Sequence, residues 1–124
     1  MLSKNKVVKA RKAIESLYDG ICSITEYQKV QKPNKSTAFE EKVTFFNMPC
    51  RLSHSVIAAT HQSDVSAAVT QTTKLFLAPE TLVKPGSKIT VRQYGVTTEY
   101  KSSGQPAVYS THQEIELELF KGWA

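Results

Sequence analysis

The chain has 124 residues, 40% hydrophobic and 22% charged, a size and composition that suit one folded domain able to bury a core without disulfides or metals. Its formal net charge of +5 is uneven: residues 1–35 hold eight basic against three acidic side chains, and the remainder balances. That asymmetry directs attention to an acidic partner or nucleic acid at the amino-terminal end, and no apolar run approaches the roughly 18 residues of a membrane span.

The opening residues are basic, but Lys9, Arg11 and Lys12 follow Val7-Val8 at once, so no secretion leader is expected and the chain is expected to stay in a cytoplasm. Ser3 is the expected N-cap of a helix running to about Tyr18, with Asp19-Gly20 as its stop. Val7, Ala10, Ile14, Leu17 and Tyr18 fall on one stripe, and Lys9, Lys12, Glu15 and Ser16 lie off it. Lys4, Lys6 and Lys9 occupy the first turns, where the helix dipole disfavours positive charge. A solvated face explains them, and so does contact with an acidic protein or a phosphate backbone.

Residues 21–30 read as a first strand, ended by the polar turn 32–36. A second strand spans 42–52, with Phe46, Met48, Cys50 and Leu52 on one face and Val43 and Phe45 on the other parity. Adjacent Phe45 and Phe46 suggest a bulge or two buried faces, and Pro49 must avoid a ladder bond or lie at an irregularity. Residues 53–69 read as a long polar loop with a short helix near 63–69, and a loop of that length is expected to have a task.

A third strand follows at 70–77, then a Pro/Gly-rich connection over 79–86. Residues 88–94 and 96–101 make a hairpin around Gly95, residues 102–106 a further turn, and 108–120 a last strand bent near Ser110-Thr111. Along it Ile115, Leu117 and Leu119 point inward, and Glu114, Glu116 and Glu118 form an outward acidic row, which a solvated strand face explains and so does, in an oligomer, contact with the basic helix of a neighbouring copy. The fold class is therefore mainly β: a small antiparallel β-barrel with an N-terminal α-helix, one domain over 1–124, with helix at 1–19 and barrel at 20–124.

Cys22 and Cys50 lie among apolar neighbours and are expected as buried free thiols. A zinc site would have to use Cys50, His54 and His61, whose spacing lacks any paired ligand element. No nucleophile elbow, phosphate loop or dinucleotide fingerprint occurs, so neither an enzyme nor a cofactor is expected. Tyr27, Tyr94, Tyr100 and Tyr109 are the residues on which an alternative reading, a nucleic-acid-binding barrel, would stack bases.

The order of basic helix, strand and long polar connection leads to Lys74-Leu75-Phe76-Leu77-Ala78-Pro79 and Lys84-Pro85-Gly86-Ser87-Lys88-Ile89-Thr90-Val91. With the closing stretch from Pro106 to Leu119, it resembles the small head–tail connector proteins of long-tailed bacteriophages and prophages, and more narrowly their head-completion or stopper family. The likeness spans the chain. Ser87 departs from it, since members often carry an acidic residue after the turn glycine.

The resemblance implies a ring of copies below the portal and its adaptor, in the virion neck, which closes the DNA-filled head and docks tail-completion proteins. Packaged DNA would pass without sequence-specific contact, and no membrane is involved. On this reading Lys4, Lys6, Lys9, Arg11 and Lys12 contact an acidic neighbour, and Glu114, Glu116 and Glu118 meet the basic helix of another copy. The 53–69 segment, including Ser55, Val56, His61, Gln62 and Asp64, is the first choice of channel loop and 30–41 the second. A tail-terminator ring is a further alternative.

Overall fold

In the computed structural model, residues 3–58 and 69–123 are described. Helix α1, Lys4–Glu15, starts where its cap predicts, with Ser3 Oγ accepting from the Lys6 amide at 3.3 Å. It ends three residues before Tyr18, because Leu17 and Tyr18 donate to the carbonyls of Ile14 and Glu15 and tighten the last turn. Gly20 is not the helix stop. It opens the first strand, buried, where a Cβ would meet Gln93 Oε1 at 3.0 Å and Cys50 Sγ at 3.3 Å. The Gln93 amide cannot yield easily, since it bridges the backbone N–H and C=O of Leu52. Among the described residues no helix is long and apolar enough to cross a membrane.

Six strands follow: β1 Gly20–Gln31, β2 Thr37–Ala58, β3 Val69–Leu77, β4 Lys88–Gln93, β5 Val96–Val108 and β6 Gln113–Leu119. They close into an antiparallel barrel in the order β1-β2-β3-β6-β5-β4. Ile24, Leu75, Leu77, Ile89 and Ile115 fill it with no solvent exposure, and the free thiols of Cys22 and Cys50 lie among them. The hydrogen bond between those thiols, together with burial, pushes the Cys22 thiol up well above the usual range.

Three of the strand boundaries expected from the sequence need correction. Residues 53–58 are the end of β2, paired to β3 out to Ala58↔Val69, so the segment read as loop is partly a β-ribbon. The turn expected at 102–106 is part of β5, which absorbs Gly104 at φ 75° in a register shift between Ser103 and Ala107. What was read as one bent strand over 108–120 is the end of β5 and all of β6, joined by a turn that Tyr109 N closes onto His112 O at 2.8 Å.

The bulge near Phe45-Phe46 is present, with Asn47 at φ 53°. It reverses the expected facing: Phe45 packs on the core, and Phe46 stands 71% exposed. Leu119 shares the inward parity of Ile115 and Leu117, yet as the final residue of β6 it is also exposed. The β4–β5 hairpin turns through Tyr94 and Gly95, both at positive φ, as a tight two-residue connection requires.

β2 is 22 residues long, roughly 70 Å of extended chain, and outreaches its neighbours at both ends. β1 pairs with β4 only over residues 20–25, so 26–31 and 37–42 continue as a two-stranded arm. β3 pairs with β6 only from Thr73 onward, leaving 55–58 and 69–72 as a second arm. Successive antiparallel connections leave a barrel at alternate ends, so the arms project in opposite directions.

Candidate docking surfaces

The helix is strapped to the outside of the barrel chiefly by Arg11. Arg11 forks onto Glu80, at 2.7 and 3.1 Å, and its Nε donates to Glu15 at 3.1 Å. At 100° per residue, Val7, Arg11, Ile14 and Tyr18 share the barrel-facing side. Ile14, Leu17 and Tyr18 roof an apolar depression of about 240 Å³ floored by Arg51, Phe76, His112 and Glu114. Burial raises the Tyr18 phenol to about 12, and its hydroxyl has no partner. Arg51 completes the attachment by donating to the Leu17 carbonyl at 3.2 Å.

With that side turned inward, Lys6, Lys9 and Lys12 fan over the opposite side, exposed. Neither they nor Lys4 has an acidic partner within 4.0 Å among the described residues. Arg11 differs from the lysines grouped with it, because its charge is spent within the molecule.

Arg11 holds the Glu80 carboxyl below its ordinary value of 4.5, with a backbone hydrogen bond adding to the effect. A depressed acid contributes attachment that is complete above its unfolded pKa and lost as pH falls through the folded one. Helix amides are thus expected to lose exchange protection as pH drops below 4.5, while the barrel's amides keep theirs. An Arg11→Ala variant should show the detached pattern already at neutral pH.

The acidic row is weaker than the sequence suggests. Glu116 and Glu118 are exposed, but their cross-strand partners are Lys74 and Lys101. Glu114 is half-buried, held by His112 at 2.9 Å and Lys74 at 3.7 Å. Alternating charges of this kind mute each other's field. Of the channel-loop residues, Ser55 and Val56 stand exposed on the second arm, whereas His61, Gln62 and Asp64 lie outside the described residues.

One cluster has no counterpart in the sequence reading. Trp123 stacks on Tyr27 at 4.9 Å, Tyr27 on Phe39 at 5.4 Å, and Phe120 meets Trp123 edge-on. Lys88 Nζ lies 5.2 Å from the Phe120 ring while pairing with Glu41 at 2.8 Å and Glu99 at 3.5 Å. The hydrogen bond from Lys88 lowers the Glu41 pKa. Gly122 at φ 118° lets the tail turn onto this face, which fixes the root of the first arm against the wall. The lone tryptophan of the sequence was the one available signal.

The other tyrosines are also engaged. Tyr100 is buried, Tyr94 donates to Asp19 at 2.7 Å, and Tyr109 stacks on His112. Cys50 lies in the core, while His54 is exposed with Nδ1 3.0 Å from Thr73 Oγ1, and His61 is outside the described residues. Among the described residues no group of three His, Cys, Asp or Glu side chains is placed to hold a metal.

No protein-family model matches the chain, and no curated protein does. Among solved structures, it is similar to the phage-like element PBSX protein xkdH of Bacillus subtilis, over 80% of this chain and 91% of that one. The identity is 9% and the TM-score 0.48, a likeness too slight to assign a role.

Proposed function

We propose that this chain is a non-enzymatic structural subunit of a bacteriophage or prophage neck, of the head-completion (stopper) kind. It forms a ring with its own copies below the portal and adaptor, closes the DNA-filled head and receives the tail. The observation that carries the reading is β2: a single continuous strand is shared by the barrel wall and by two arms that leave at opposite ends. Such a subunit suits a joint that must engage one structure above and another below. Its outward cationic helix offers a lateral or axial contact that leaves the barrel free.

A ring repeats each contact around its axis, so weak charge pairs sum to a firm assembly. The sequence resemblance to connector proteins points the same way. A base-stacking barrel has less support: Tyr100 is buried, Tyr27 and Tyr109 already stack on Trp123 and His112, and only Tyr94, 75% exposed, keeps an open ring face.

Electron microscopy of particles made without this protein tests the reading. Heads that fill, then leak their DNA and carry no tails are expected. Stable, tailed, filled particles in its absence would end it.

A further inference from the structure

The tip of the first arm is built unlike the rest of the surface. Lys32 N donates to Ser36 O at 2.8 Å, Lys35 N to Lys32 O at 2.9 Å, and Asn34 Oδ1 accepts from both the amide and the hydroxyl of Ser36. Within this ordered turn Lys35 sits at φ 66°, a conformation that glycine or asparagine adopts more cheaply. A lysine kept there does not serve the turn. Lys29, Lys32 and Lys35 are all exposed, with no acidic partner within 4.0 Å among the described residues. The sequence holds no acid between Glu26 and Glu40, and Glu26 itself is engaged by Gln28 and Lys84.

We infer that this tip is a contact for the phosphate backbone of double-stranded DNA, made without reading bases. Residue types decide between DNA and an acidic protein. Residues 28–37 offer Lys, Gln, Asn, Ser and Thr donors with Val30 as the one large aliphatic side chain. Those are the side chains that bind phosphates, and residues 28–37 lack the apolar centre on which a protein interface is built. The inference names a partner for one surface of the proposed neck subunit and rests on that reading for its place in the particle. Three lysines per copy, repeated around a ring, would steady DNA in a passage and still let it slide, since contacts of this kind carry no sequence information and are equivalent from one phosphate to the next.

The test is fluorescence anisotropy of a labelled duplex of about 30 base pairs, titrated with the full chain across a salt series. Variants are Lys29→Ala/Lys32→Ala/Lys35→Ala, the same three changed to Arg, and Lys6→Ala/Lys9→Ala/Lys12→Ala as a reference for the helix. Removing three phosphate contacts should flatten the slope of log affinity against log salt by about 2.7, so that between 50 and 200 mM salt the wild type loses roughly 40-fold more affinity than the alanine variant. The arginine variant should keep the wild-type slope, and duplexes of unrelated sequence should bind alike. Unchanged emission from Trp123, stacked at the root of the same arm, shows that the fold is intact. An unaltered slope in the alanine variant overturns the inference, as does displacement of the duplex by polyglutamate at equal charge, which would mark an acidic protein as the partner. Particles that stay sealed without the protein would remove the neck reading yet leave a positive anisotropy result standing, so the two failures are separable.

Discussion

Changing Lys6, Lys9 and Lys12 together to glutamate is expected to abolish the joining of heads to tails. Each reversal turns an attraction to an acidic neighbour into repulsion, and like charges brought together at an interface cost several kcal/mol. The ring compounds the effect, because every copy carries the same three changes. Local helix stability should not suffer. The first turn of α1 contains no acidic residue, so a glutamate at position 6 complements the dipole by a few tenths of a kcal/mol, and a glutamate in place of Lys12 in the last turn costs about as much, so the two offset. Arg11, which straps the helix to Glu80, is untouched. The variant should therefore keep its helical circular dichroism and melting temperature, while the fraction of heads that sediment with tails falls on the order of a hundredfold. Joining at the wild-type level would remove the helix from the docking surface.

Much of the frame was readable because local chemistry and tertiary packing agree. Ser3 caps α1 in the sequence and in the structure, and the alternation of Ile115 and Leu117 places both in the core. Misreadings arose where pairing overrode composition. Residues 53–58 are small and polar enough to read as loop, yet β3 supplies a partner for each. Gly104 and Pro106 look like a turn, but β6 pairs with Ser103 before them and Ala107 after them, so β5 runs through them as an irregularity. Phe46 faces out because Asn47, in the left-handed region, adds a residue to β2. The cationic side of α1 was legible from helical spacing, whereas the partner of Arg11 was not, lying 69 residues away. The stack of Trp123 on Tyr27 was hidden for the same reason: contacts between distant segments leave no periodic trace.

The connection at residues 78–87 shows how such non-local bonds join stability to docking. Gln113, 1% exposed at the start of β6, donates from Nε2 to the carbonyls of Ala78 at 2.8 Å and Thr81 at 2.6 Å. Those bonds hold the connection against the barrel, where Val83 joins the core and Glu80 meets Arg11. Replacing Gln113 with leucine keeps the volume but removes both donated bonds: the Thr81 carbonyl is left without a partner at a cost of about 1–3 kcal/mol, and the Ala78 carbonyl, which keeps the Thr81 amide at 3.2 Å, loses a bond worth about 1 kcal/mol. Partial escape of the turn to water limits the total, so a loss of about 2–4 kcal/mol and a melting temperature lower by roughly 10 °C are expected. Because Glu80 shifts with the turn, the helix should lose exchange protection in the same variant even where the barrel remains folded. A Gln113→Leu protein that melts within about 2 °C of the wild type would show that these bonds neither hold the connection nor seat the helix.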